Sequence, residues 1–284
     1  MSYATLPLRR LVQLLMHPEP YRVRLLRPLF SRFRSLPYDL RLMFDAMQRP
    51  HYGYCVLHAA RLAKQLGVDE ITAIEFGVAG GNGLVTLEDH AECVSRETGV
   101  AIRVVGFDRG SGLPEPKDYR DMPNIWQSGF YQMDIERLRG RLRHAELYLG
   151  EVGTEIEKFL ADDRWPPVGA IVFDLDFYSS TIDSFRVFDL ASERILPRVF
   201  CYFDDIIHGD PISGVNNFTG QCLAIDDYNQ ASNIKKLALD RSLMRPRKYR
   251  AQWHQQIYLH HDFCHPAYTS FVGTADDQRP LTSA

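Results

Sequence analysis

From Tyr52 onward the chain alternates between two hydrophobic periods. Short runs over residues 71–75, 101–107, 145–149, 170–173 and 199–203 are apolar at nearly every position. Runs of that length and density describe strands buried on both faces of a parallel sheet. Between them apolar residues recur at helical spacing, which predicts helices over 52–66, from Gly83 to about Thr98, over 154–161 and from Ser180. The Ser180 hydroxyl is placed to cap the last of these. Residues 255–260 predict a further strand that closes the sheet antiparallel. Strand and helix in strict alternation define an α/β class, a doubly wound and mostly parallel sheet.

Composition narrows the setting. The 284 residues suit one large domain, or one domain with an extension. A net charge of −3 gives no global electrostatic case for nucleic acid. Cys55, Cys93, Cys201, Cys222 and Cys264 form no C-x-x-C pair, so reduced thiols are expected. With no run of 18 apolar residues and no signal-like apolar segment near Met1, no transmembrane segment and a cytoplasmic location are expected. Residues 1–50 stand apart: nine arginines against three acids, interleaved with leucines and broken by Pro18, Pro20, Pro28 and Pro37. They predict a basic helical arm ahead of a domain over 51–284. The arm suits a cap over a cleft or the contact of a homo-oligomer, and a basic amphipathic stretch also suits an anionic membrane surface.

Candidate chemistry gathers where the strands end. The first runs into Glu75-Phe-Gly-Val-Ala-Gly-Gly-Asn-Gly83, a glycine turn entering a helix. Such a turn brings backbone N–H groups against a ligand at the carboxyl edge of a sheet, though it also suits a plain connection. It lacks the G-x-G-x-x-G order of a nicotinamide site. Asp108 ends the second strand, 25 positions after Gly83, and is placed to accept a ribose diol. A long loop from Gly110 to Tyr131 follows, too long for a mere connection. Strand four ends in Asp174-Leu-Asp176 and strand five in Asp204-Asp205. Carboxylates converging on adjacent strand ends repel one another unless a hard dication such as Mg²⁺ neutralises them.

The segment E-F-G-V-A-G-G-N-G resembles motif I of the class I S-adenosylmethionine (SAM) methyltransferases. F-D-L-D-F-Y-S-S-T-I-D-S-F, from Phe173, resembles the D-x-D-L-Y-x-S-T-x-D-x-L segment of the macrocin and mycinamicin type sugar O-methyltransferases. Asp204-Asp205, the Gly220–Tyr228 segment and the Gly112–Pro116 loop motif continue that resemblance in order, over roughly residues 70–230. The resemblance implies a Rossmann-like methyltransferase fold of seven strands with a helical N-terminal extension. It implies SAM held by Glu75, Gly77, Gly80, Gly81, Asp108, Gly150 and Glu151, and Mg²⁺ held by Asp174, Asp204 and Asp205. The acceptor would be a hydroxyl of a sugar or glycosylated small molecule, activated and aimed by the metal for in-line attack on the methyl group. The family places a histidine in the loop after strand two, whereas this chain has none between His90 and His144. Asp121, with Asp118, and His208 are the candidates for the base.

Two rival classes remain at the sequence level. D-L-D also resembles the D-x-D of metal-dependent nucleotide-sugar glycosyltransferases, which leaves Glu75 and its glycine turn unexplained. A SAM-fold protein that binds without catalysing would accommodate the missing histidine. The segment His260-His-Asp-Phe-Cys-His265 lacks a second ligand cluster for zinc and is expected to line the substrate mouth, with Tyr268 nearby. Tyr52, Tyr54 and Trp126 are expected as aromatic walls for the acceptor.

Overall fold

A computed structural model describes residues 21–33, 35–244 and 251–273. Two helices, α1 (Tyr21–Arg32) and α2 (Tyr38–Met43), precede the core. The first twenty residues of the basic arm lie outside the described residues. Then follow α3 (Pro50–Gln65), β1 (Glu70–Phe76), α4 (Asn82–Thr98), β2 (Ala101–Asp108), α5 (Ile135–Arg139), β3 (Glu146–Leu149), α6 (Val152–Ala161) and β4 (Val168–Phe173). The chain continues through α7 (Tyr178–Ser184), β5 (Ile195–Phe203), α8 (Gly220–Ala231), β6 (Lys235–Leu239) and β7 (Ile257–Asp262). All seven strands join one sheet in the order β3-β2-β1-β4-β5-β7-β6, with β7 alone running against the rest.

The sheet is covered on both faces, and alternation along each strand assigns residues to one side or the other. Ala73, Val104, Ala170 and Val172 face α3 and α4, where Ala59, Ala60 and Ala63 let the helix lie close. Ile74, Phe76, Val105, Phe107, Ile171 and Phe173 face the opposite layer of Ile156, Phe159, Phe185 and Phe188. Parallel register then lines up one row of rings: Phe107 pairs with Tyr148 and with Phe76, Phe76 with Phe173, and Phe173 with Phe203. Their centroids are 4.6–5.5 Å apart, and such pairs each contribute about 0.5–1.5 kcal/mol beyond buried area. The row has a functional consequence. The residues that follow those phenylalanines are Gly77, Asp108, Asp174 and Asp204, so one register sets four candidate groups on a single edge.

Two expectations change, and one strand is additional. Helix α7 begins at Tyr178, not Ser180, and no side chain of its own caps it. The cap comes from Asp121 in the long loop, which accepts from the Ser179 amide (2.8 Å) and hydroxyl (3.0 Å). Strand β6 escapes periodicity because it is a short edge strand whose lysines are half-buried. The His260–His265 segment does not reach the substrate mouth. Antiparallel β7 carries it to the amino end of β5, where His260 pairs with Val199 and His261 with Arg198. His260 is buried against Phe188 and meets the Tyr228 hydroxyl at 2.9 Å, while His265 meets the Ser192 and Ile195 carbonyls. No described helix is long and apolar enough to cross a membrane.

Candidate active site at the carboxyl edge

A cavity of about 340 Å³ opens above the β2, β1, β4 and β5 ends. Gly77, Ala79, Asp108, Gly150 and Glu151 form one wall; Asp174, Asp176, Asp204 and Asp205 form another. The loop after β2 closes the side with Gly112, Leu113, Pro114, Trp126 and Tyr131. Six described residues other than glycine have positive φ, and Arg49, Ala79, Tyr131 and Asp176 among them line this cavity. Strain of that kind concentrates at functional sites, where the surroundings over-determine it.

The glycine turn is built around contacts inside the protein. Gly77 has φ of 86°, and a Cβ there would sit 1.6 Å from the Asp174 carbonyl oxygen. Gly81 begins α4 at φ 80° and packs on Leu138, so its need for glycine comes from α5 and not from the cavity. Gly80 faces open space. Asp108 accepts from the Val78 and Ala79 amides through Oδ2 (2.9 and 2.8 Å) and from Gly110 through Oδ1 (2.5 Å). It therefore braces the turn as well as facing the cavity. Glu151 pairs with Arg109 at 2.7 Å.

Glu75 lies behind the turn. It is 1% exposed, and its Oε1 accepts from the Tyr52 hydroxyl at 2.7 Å while Oε2 is buried without a partner. Burial raises its pKa to about 8, against the lowering pull of Tyr52 and Arg49. The folded protein thus holds a proton that the unfolded chain releases near 4.5. The stability this contributes is full below about pH 4.5 and is lost as pH rises through 8. Glu75→Gln cannot ionise and should flatten that decline. Melting temperatures of the ligand-free protein between pH 5 and 9 check this, and identical slopes for the two proteins would refute it.

Asp174, Asp204 and Asp205 each offer an oxygen, all within 4.8 Å of one another. Their backbone is fixed by two glutamines. Gln221 accepts from the Asp205 amide (3.0 Å) and donates to the Phe173 carbonyl (3.1 Å); Gln256 donates to the Asp204 carbonyl (2.7 Å). Burial, then mutual repulsion, pushes the Asp174 and Asp205 carboxyls well above the usual range. Burial does the same to Asp176, whose amide donates to Asp205 at 3.0 Å. Tyr202 donates to Asp204 at 2.5 Å. Three converging oxygens with no basic nitrogen or sulfur suit a small hard dication.

The remaining sequence candidates separate. Asp121 is 1% exposed; besides Ser179 it accepts from the Lys117 amide at 2.8 Å, and it does not line the cavity. It anchors the loop to α7. His208 is exposed at the rim, edge-on to Trp126 with ring centroids 6.1 Å apart, its Nδ1 taken by the Asp210 amide at 3.2 Å. Trp126 lines the cavity as expected; Tyr52 and Tyr54 are instead buried, Tyr54 donating to Asp240 at 2.7 Å. Arg49, Tyr131, Gln221 and Gln256 carry no signal in sequence periodicity. Gln221 falls inside the Gly220–Tyr228 motif, which was the available hint.

No protein-family model matches the chain, and no curated protein does. Among solved structures it is similar to the calicheamicin methyltransferase CalS11, at 18% identity over 88% of this chain and 95% of that one, with a TM-score of 0.49. It is similar to the O-methyltransferase NovP at 13% identity over 74% and 78%, with a TM-score of 0.47. A third likeness is to the O-methyltransferase TomG from Streptomyces achromogenes, involved in tomaymycin synthesis and solved in complex with SAM: 16% identity, 81% and 86% covered, TM-score 0.36. These are likenesses of overall shape. The strand order, with β7 alone reversed, gives the seven-stranded, doubly wound and mostly parallel sheet expected from the sequence.

Proposed function

We propose that this protein is a SAM-dependent, divalent-metal-assisted O-methyltransferase whose acceptor is a hydroxyl of a sugar or glycosylated small molecule. The observation that carries the reading is the meeting, in one cavity, of the Gly77–Asp108–Gly150 wall with the Asp174, Asp204 and Asp205 oxygens. The first wall suits SAM: it joins a glycine turn, an acidic strand end for the ribose and a third strand end at Gly150 and Glu151. The second suits Mg²⁺, held by the three aspartates. When bound, SAM supplies the methyl group and the metal supplies Lewis acidity toward the acceptor oxygen.

The chain's own residues do the rest. Asp108 fixes the turn, Gln221 and Gln256 fix the aspartate backbone, and the loop after β2 shields the cavity from water with Leu113, Pro114, Trp126 and Tyr131. Tyr131 faces the aspartates; burial and then their charges push its hydroxyl up to about 12, so it stays protonated and can donate to a bound oxygen. His208, with Nε2 lacking a partner among the described residues, is the proposed proton acceptor at the rim. Asp121, which does not line the cavity, is not.

Calorimetric titration of SAM, S-adenosylhomocysteine, NAD⁺ and a UDP-sugar, each with Mg²⁺ and with EDTA, tests the reading. Micromolar binding of the first two and silence from the others is expected. Silence from SAM together with Mg²⁺-dependent binding of the UDP-sugar would replace methyl transfer with glycosyl transfer.

A further inference from the structure

Arg49 faces the cavity and has no part in the reaction described above. It precedes Pro50 at the N-terminus of α3 with φ of 43°, a conformation that side chains rarely adopt. Its surroundings hold it there. Nη1 donates to the Tyr52 hydroxyl at 3.0 Å, the guanidinium lies 5.0 Å from the Tyr52 ring centroid, and Tyr52 in turn donates to buried Glu75. The support comes from behind, and it aims a fixed positive charge at the wall that carries Asp174, Asp204 and Asp205.

The cavity has one other arginine, Arg109, and that charge is paired with Glu151. Arg49 forms no ion pair among the described residues, yet it feels the carboxylates. Burial works against its charge, and Tyr52, Glu75, Asp174 and Asp204 together outweigh burial and hold it firmly protonated. Charge balance gives it a purpose. With Asp176 on the same wall, four carboxylates against one dication leave two negative charges, and one guanidinium cancels one of them. With the dication gone, the same guanidinium is the nearest relief for these carboxylates in a site of low dielectric.

We propose that Arg49 is a resident counter-ion of the aspartate site, which lowers the site's affinity for the divalent cation and keeps that cation exchangeable. This rests on the metal site proposed above. Repulsion between a guanidinium and a dication in one small cavity is only partly screened, because Arg49 is partly buried. Removing the guanidinium therefore tightens metal binding, the opposite of what loss of a structural support would do.

The test is calorimetric titration of Mn²⁺ into the full chain, without SAM, for wild type, Arg49→Met, Arg49→Gln and Arg49→Lys. The glutamine variant can still donate to Tyr52, which covers a failure of the methionine variant to fold. The two neutral variants should bind Mn²⁺ about tenfold more tightly than wild type, on the order expected for one nearby charge, with the lysine variant close to wild type. Unchanged or weaker binding in both neutral variants, with wild type binding normally, overturns the counter-ion and leaves the metal site standing. No binding of Mn²⁺ by wild type removes the metal site and the counter-ion together.

Discussion

Asp174→Ala and Asp205→Ala should each lower methyl transfer by on the order of 10³ or more while leaving SAM affinity close to wild type. The separation follows from the two walls. The aspartates end β4 and β5, whereas the wall proposed for SAM is built from the ends of β1, β2 and β3 and is braced by Asp108. Removing one of the three carboxylates weakens the hold on a dication and shifts where it sits relative to the acceptor. It also relieves repulsion, since each carboxylate raises the pKa of its neighbours. Asp174→Ala should therefore be at least as stable as wild type without metal, whereas Asp205→Ala also strands the Asp176 amide, so the first variant separates lost turnover from unfolding. Turnover, SAM titration and thermal melting on the same samples check all three. Full turnover of either variant in the presence of a chelator would rule out metal assistance.

Among the glycines of the described residues, Gly77 should tolerate an added methyl group least. Two costs coincide at that position. A φ of 86° costs an L-residue about 1–2 kcal/mol. The new Cβ also falls 1.6 Å from the Asp174 carbonyl oxygen, and a clash with backbone costs about 1–3 kcal/mol more. A loss of about 2–5 kcal/mol is a large part of the stability of an ordinary domain. The displacement runs straight into Asp174, so SAM and metal binding should fail together, unlike in the aspartate variants. Gly80→Ala is the control: with nothing within 4 Å and an ordinary φ, it should shift stability by about 0.5 kcal/mol or less. Denaturant unfolding of the pair measures the contrast, and equal stability of the two would refute the turn geometry.

How much of this could be read in the chain depends on where each piece of information sits. The buried strands β1, β2, β4 and β5 announce themselves because both faces are covered and every position is apolar. Their ends bring the acidic residues with them, so Asp108, Asp174, Asp204 and Asp205 were legible as one edge. β6 was not, because an edge strand buries one face and is only five residues long. The base was misdirected at Asp121 for a related reason. Sequence shows a carboxylate in a functional loop, but not that Lys117 and Ser179 already occupy it. His260 and His265 misled through direction: a strand that closes a sheet antiparallel delivers the residues after it to the opposite edge. Arg49 was read only as one charge of a basic arm, and nothing local reveals that Tyr52 turns it inward.

The loop after β2 is tied off at its own base. Met133 donates to the Gly110 carbonyl, the Leu113 amide to the Phe130 carbonyl, and the Gly129 amide to the Leu113 carbonyl. Beyond that neck, Asp121 accepts from the Ser179 amide and Asn124 donates to the Ser213 carbonyl, and these two bonds moor it. Such a segment is a detachable part. It could be exchanged for another of the same neck width, provided the two moorings are kept, without disturbing the sheet beneath. Diversity in what this scaffold accepts would then arise by transplanting one contiguous stretch of sequence, and a chimera grafted at Gly110 and Met133 would show whether that stretch sets the preference of the cavity it borders.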